Sequence, residues 1–410
     1  MRTYEQTHKW ISYRFDLTTG SHPKLWLGLG EAASKIEHLA RVPLQPGTAK
    51  ALLLLYLAKG AAATTAIEGN SLSEGDVLRA AEGNLEVPPS MEYQKQEVEN
   101  VIGVFNQITN HIANGTLPAL TPDLIKSYNK AVLDKLPPKE DVVPGEYRMK
   151  DVLVGNVYRG APPQDCDYLM VRLAEWLNSA DFSAPKGMET VFAIIKAIVA
   201  HLYLAWIHCF GDGNGRTARL VEFHILMSAC VPSPAAHLLS NHYNQTRSEY
   251  YRQLANASRS GGEVIPFLEY AVQGLVDGLR AQLNSVWDQT WKIAWENYLH
   301  EAIHPDGATD SRRHDLAIEL GNRNDWVEVT SIPKLSPDLA ALYAIKGPKT
   351  VQRDINALTA LNLVERLRGR VRARRELVFG FLPVRKWPAP LSTVPAIPFD
   401  PEPNGQQPLF

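Results

Sequence analysis

The 410-residue chain carries 42 Lys and Arg against 44 Asp and Glu, a net charge of -2, with 45% hydrophobic and 21% charged residues. That balance excludes a disordered or collagen-like chain, gives the whole protein no general attraction to polyanions, and suits about two or three domains of ordinary size. Its three cysteines, Cys166, Cys209 and Cys230, have no metal spacing and cannot build a disulfide framework, so a reducing compartment, the cytoplasm, is expected.

The opening residues, MRTYEQTHKWISYRF, contain no apolar segment of a secretory signal. The Ala- and Leu-rich run over residues 47–67 predicts a helix that stops at Gly69 and Asn70. Further helices are predicted over 91–114, 121–135, 166–179, 190–207, 215–229, 247–257 and 264–301, an all-helical body. One stretch departs from it: YRMKDVLVGNVYRGAPP, with β-branched residues around a VGN turn, predicts a β-hairpin. The longest apolar run, Val191 to Ile207, includes Lys196 and His201 and is shorter than the roughly 20 residues that span a bilayer, so it predicts the buried centre of a bundle and no membrane association.

Beyond Pro305 the composition changes. Ser336 and Pro337 start a helix, Gly347 and Pro348 mark a turn, and Val351, Ile355, Leu358 and Leu361 share a face of a second helix before a hairpin near Gly369. This order outlines a winged helix-turn-helix. Residues 331–382 hold ten Lys or Arg and four Asp or Glu, a local balance of +6 that suits duplex DNA. The arginines at 366, 368, 370, 372 and 374 fall on the hairpin, where a solvated wing and a DNA-contacting one are equally expected. The last 28 residues contain eight prolines and predict an extended tail.

The chemistry concentrates in HCFGDGNGR, residues 208–216, between the apolar run and the next helix. Glycines there let a phosphate approach the unpaired N–H groups of a helix N-terminus. Arg216 and Arg219, three apart, add two guanidinium forks on one face. Asp212, the only carboxylate of the loop, suits Mg²⁺ beside bound phosphates, and His208 at the loop entrance suits a general base. A P-loop, an EF-hand and a dinucleotide fingerprint all fail on the residues present. His201 reads as a packed core histidine, Cys209 lacks the partners of a nucleophilic thiol, and Tyr250 and Tyr251 divide evenly between pocket and core.

His208, Phe210, Asp212, Gly213, Asn214, Gly215, Arg216 and Arg219 match, one by one, the signature H-x-F-x-(D/E)-G-N-G-R-x-x-R, and on them the chain resembles the Fic family. The resemblance implies an enzyme that transfers AMP from ATP to a Ser, Thr or Tyr hydroxyl of a target protein. In it His208 deprotonates the hydroxyl, Asp212 holds Mg²⁺, and Arg216 and Arg219 grip the nucleotide. Gly213 and Gly215 lend N–H groups while Asn214 fixes the loop. The segment EYYRQL is similar to the family's adenine side and implicates Tyr250 and Tyr251. The hairpin resembles the family's flap, with Val152, Leu153, Val154 and Gly155 pairing with an extended target segment. TTAIEGN resembles the inhibitory motif (S/T)-x-x-x-E-(G/N) through Thr64, Glu68 and Gly69, and implies an ion pair between Glu68 and Arg216 that displaces the ATP γ-phosphate. In some relatives the same glutamate positions a water that removes AMP, which leaves a bifunctional enzyme open.

The expected architecture is mainly α: a Fic-type helical bundle with a β-hairpin flap, plus a C-terminal winged helix-turn-helix domain. Its parts are an N-terminal helical region over 1–110 with the inhibitory helix near 50–69, a catalytic core over 111–304 with the flap near 147–160 and the motif at 208–219, the winged domain over 305–384, and the tail over 385–410. Two other readings stay open, a DNA-binding regulator whose Fic body senses nucleotide and a Fic enzyme that moves a different phosphate-containing group. The expected partners are a target protein on the flap, the chain itself through auto-AMPylation, DNA, and a second copy in a homo-oligomer.

Overall fold

The computed structural model describes residues 2–378 apart from 15, 16, 18–20, 156, 157, 305 and 324. The expected tail, and Asn156 and Val157 of the expected flap, lie outside the described residues. Contacts divide the chain into two compact units, one running to Gln282 and one starting at Leu283.

The first unit is built around the helix Glu189–Ile207, buried on nearly every face. By length and composition alone this helix could cross a bilayer, yet its side chains face other helices of the unit. Its main neighbour is the helix Asn214–Ser228, which follows the loop of residues 208–213 and is itself almost wholly buried. Helices Pro23–Arg41 and Cys166–Leu177 cover other faces. The Ala-rich run forms the helix Pro46–Ala66, and its small side chains let it lie close to the helices Glu92–Ala113 and Leu238–Gln245. At Gly60 the approach leaves no room for a methyl group, because His237 occupies the space.

The predicted hairpin is present but short, with Leu153–Val154 paired antiparallel to Tyr158–Arg159 in the register Leu153 with Arg159 and Val154 with Tyr158. Among the described helices of eight residues or more, four went unpredicted: Pro23–Arg41, Glu74–Ala81, Leu238–Gln245 and Ala308–Gly321.

The second unit has its own core, with Trp291, Trp295 and Leu299 packed on Leu316, Leu339, Ile355 and Val371. The helix Ile265–Ile303 contributes its last turns to this core, so the division falls inside the helix rather than after residue 304. Helix Pro337–Tyr343 starts at the Ser336 cap, whose hydroxyl accepts from Leu339 N. Helix Pro348–Ala360 buries Val351, Ile355 and Leu358. Leu361 corrects the expected face: the helix ends at Ala360, and Leu361, past its last turn, is 46% exposed. Strands Val364–Leu367 and Arg370–Ala373 turn through Arg368 and Gly369, both at positive φ, and Val327–Glu328 adds a third strand on the other side of Arg370–Ala373.

Candidate active site

The loop that joins the two central helices is held by its own residues. Asn214 Nδ2 donates to Phe210 O at 2.8 Å and its Oδ1 accepts from Phe210 N at 2.9 Å, closing the turn on both sides. Gly213 takes φ 75° at the N-cap, a conformation that costs a residue with a Cβ about 1 kcal/mol or more. Asn129, from the helix Pro122–Val132, donates to Asp212 O at 2.9 Å and accepts from Gly145 N at 3.0 Å. Sequence reasoning missed Asn129, whose only signal is an amide on an otherwise apolar helix face.

His208 ends the helix Glu189–Ile207 in the left-handed conformation, φ 49° and ψ 54°. Such a conformation is strained for a non-glycine residue and persists only where its surroundings enforce it. Burial first, and then the charge of Arg148, push the imidazole pKa down to about 4 against the opposing influence of Glu68 and Asp212. The ring is therefore neutral at physiological pH and able to accept a proton.

His208 shares a pocket with Asn214, Gly215, Arg219, Glu68, Tyr250, Tyr251 and Val154 of the hairpin. The structure thus brings together four motif residues, the expected inhibitory glutamate, both tyrosines and Val154 of the hairpin, while Asp212, Gly213 and Arg216 stand outside the pocket lining. Tyr250 is buried and donates to or accepts from His201 Nε2 at 2.9 Å, while Tyr251 OH donates to Ile67 O at 3.1 Å. Both line the pocket, Tyr250 from within the core and Tyr251 half-buried against it. Leu153 is exposed and Gly155 takes φ 54° beside it. Val152 lies at the flap's root, where its carbonyl accepts from Gly160 N at 3.2 Å.

The expected pairing of Glu68 is corrected. Its Oε1 lies 2.6 Å from Arg219 Nη2, not on Arg216. Gly215 explains why: Glu68 reaches over the first turn of the helix at Gly215, where an added Cβ would collide with its carboxylate, and one turn onward stands Arg219. Arg216 points elsewhere, to Glu97 Oε1 at 2.9 Å and Asp212 Oδ1 at 3.3 Å. Thr64 contributes its backbone carbonyl, which accepts from Arg219 Nη2 at 2.8 Å, while its hydroxyl is buried without a partner among the described residues. Gly69, at φ 101°, turns the chain out of the helix. Glu97 was missed in the sequence; its Oε2 also accepts from Asn70 Nδ2 at 3.0 Å, tying the residues that follow Glu68 to Arg216.

Burial raises the Glu68 carboxyl, but Arg219 and Arg216 outweigh it and hold it below the usual carboxylate value. Burial likewise opposes the ionised form of Asp212, which Arg216, Lys139 and the Gly213 N–H together favour. Lys139 Nζ stands 2.7 Å from Asp212 Oδ2. Cys209 is buried and its thiol is pushed up by burial, which removes it as a nucleophile.

Residues 119–226 match the model of the Fic/DOC family. The chain is 29% identical over 265 residues to Protein adenylyltransferase fic-1 of Caenorhabditis elegans, covering 63% of this chain and 47% of that protein. It is 30% identical over 213 residues to Protein adenylyltransferase fic-1 of Caenorhabditis briggsae, covering 51% of this chain and 38% of the relative. The chain thus spans about half the length, or less, of the curated relatives it matches. Among solved structures, a Fic family protein from Desulfovibrio desulfuricans G20 aligns at TM-score 0.52 and 20% identity over 88% of this chain and 97% of that one. Fic-1 from C. elegans aligns at TM-score 0.50 and 23% identity over 66% and 74%. At such identities the likeness speaks for the fold alone. The chain carries a Fic/DOC domain across residues 119–226.

Proposed function

We propose that this chain is a protein adenylyltransferase restrained by its own Glu68. The observation that carries the reading is one pocket in which His208, Gly215 and Arg219 meet, with the Glu68 carboxylate lodged against Arg219. The triphosphate of ATP seats on the amides of the loop and on Arg219, whose Nε and Nη1 are buried without partners among the described residues. A target segment adds as a strand along Leu153–Val154 and presents a hydroxyl. The hydroxyl oxygen attacks the α-phosphorus, its proton passes to the His208 imidazole, and the bond from that phosphorus to the bridging oxygen breaks to release pyrophosphate.

Asp212 would hold Mg²⁺ as one hard carboxylate beside bound phosphates, in place of its present contact with the exposed Lys139 at Oδ2. The ion neutralises phosphate charge when bound. Glu68 restrains the reaction by occupying the guanidinium of Arg219 that a nucleotide phosphate requires.

Labelled ATP with Mg²⁺ and lysate tests this. Glu68→Gly is expected to incorporate label roughly tenfold or more above the parent, and adding His208→Ala to remove it, as loss of a general base costs about 10²–10⁴-fold. The mass added to the target separates AMP from other phosphate-containing groups. No label on any variant overturns the reading.

The second reading, a DNA-binding regulator, draws on one observation: the helix Pro348–Ala360 exposes Lys349 and Arg353 opposite its buried face, beside exposed Lys346. Neighbouring arginines are spent internally, Arg370 on Glu328 and Arg374 on Glu376. Duplex binding that weakens steeply with salt, together with absent label, would favour this reading.

A further inference from the structure

Arg148 is buried, 5% exposed, and has no carboxylate partner among the described residues. A guanidinium in that position must satisfy its donors on neutral groups or pay a large desolvation cost. Each of its three nitrogens donates to a different backbone carbonyl. Nε donates to His208 O at 2.7 Å, Nη1 to Lys150 O at 2.8 Å, and Nη2 to Ala161 O. Lys150 precedes the first flap strand and Ala161 follows the second, so one side chain grips both roots of the hairpin and the peptide of the histidine.

The backbone repeats the pattern. Arg148 N donates to Cys209 O at 2.9 Å, Tyr147 bridges Phe210, and Ala161 N donates to Ile207 O at 3.1 Å. The flap roots thus flank residues 207–210 on both sides, and the left-handed turn at His208 lies inside the clamp. Only a planar fork with several donors can meet three carbonyls at once; a lysine ammonium, a point charge on a flexible stem, cannot hold them in one plane.

We propose that Arg148 is a positioning residue of the transfer reaction, stapling the flap to the peptide of His208 so that a docked hydroxyl and the imidazole stay in register. The inference rests on the adenylyltransferase reading. It assigns Arg148 no contact with ATP, and Arg148 lies outside the set of residues that line the pocket.

The test uses the full chain carrying Glu68→Gly, with Arg148→Gln and Arg148→Lys added singly. ATP affinity is expected to stay within about twofold of the parent while kcat falls about tenfold or more, since small misplacement of reacting groups costs rate rather than nucleotide binding. The groups facing His208 are Arg148, Asp212 and, in the parent chain, Glu68. Losing the Arg148 charge therefore moves the acid limb of the rate profile to higher pH in Arg148→Gln and leaves it in place in Arg148→Lys. Amide exchange at Gly160 and Ala161 should accelerate roughly tenfold in both variants, with the helix Asn214–Ser228 unchanged.

Should Arg148→Gln not fold, Arg148→Lys carries the comparison, because it keeps the charge and loses the planar fork. Unchanged kcat, equal losses in ATP affinity and rate, or unaltered exchange at the flap roots would overturn the proposal. An unlabelled Glu68→Gly parent instead defeats the adenylyltransferase reading, and the exchange measurement then decides the staple by itself.

Discussion

Gly215 has no space for a side chain: a Cβ there would strike Glu68 and approach Arg219 Nη1 within 3.1 Å. Gly215→Ala is therefore expected to expel Glu68 yet block the phosphate, so label should stay at or below the parent level, unlike in Glu68→Gly. Label rising with Gly215→Ala would mean the nucleotide does not approach that amide. At His208 the depressed pKa makes a second expectation. Below its pKa the imidazole is protonated and cannot accept the hydroxyl proton, so a nuclear magnetic resonance titration of the ring should show a midpoint near 4. A midpoint above 6 would remove the account of its burial and of Arg148. At this scale the motif was legible because each of its residue types has one job, whether a glycine for close approach or a fork for phosphate. The partner of Glu68 was not, because the choice between Arg216 and Arg219 depends on which turn of a helix faces a distant segment, and Glu97 competes for the first of them.

The segment that carries Glu68 is held at its end by a neighbouring element. Arg247 Nη2 donates to Ile67 O at 2.5 Å, Tyr251 OH donates to the same carbonyl at 3.1 Å, and Arg247 Nε donates to Tyr251 OH at 3.2 Å. Removing that grip with Arg247→Ala should loosen Glu68 and raise basal label by up to about tenfold, the effect of one lost hydrogen bond to a charged group at about 1.5 kcal/mol. Unchanged basal label would place the restraint wholly in the Glu68 pair. Among the elements, the long periodic helices were legible from residue pattern alone. Helix Pro23–Arg41 was not: Gly28 and Gly30 weaken its intrinsic helix propensity, and the burial of Leu25, Leu29, Ala32 and Ile36 on one face offsets their cost. The hairpin was readable from its β-branched residues, but its two-residue strands are set by the clamp around residues 207–210, which no local pattern announces.

Across the whole molecule, neutral histidines are built into the core of the first unit. Burial lowers His237 to about 3, and burial followed by Lys196 lowers His224 to about 4. His237 stacks on Phe223 at 4.6 Å and fills the gap beside Gly60. Because the unfolded chain takes up protons near pH 6.5 and the folded one does not, stability should be full above that pH and fall as pH drops towards 3–4, by up to about 1.4 kcal/mol per pH unit for each such histidine. Urea unfolding at a series of pH values checks this, and a flat midpoint between pH 7 and 4.5 would contradict it. Gly60→Ala should cost about 1–3 kcal/mol by forcing His237 out of its place, read as a lower melting temperature. The division inside the helix Ile265–Ile303 was illegible in the sequence, since its apolar pattern continues across the point where its neighbours change.

The contact between Glu68 and Arg219 joins a carboxylate 30% open to solvent with a guanidinium almost wholly enclosed. If this contact is the latch of the proposed adenylyltransferase, it opens spontaneously in some fraction of molecules, and only that fraction would turn over. The quotient of two initial velocities, unaltered chain over Glu68→Gly, is then an occupancy, and a hundredfold gap would equate to roughly 2.7 kcal/mol favouring closure. Any cellular trigger can be ranked on the same scale by how far it moves that quotient towards one.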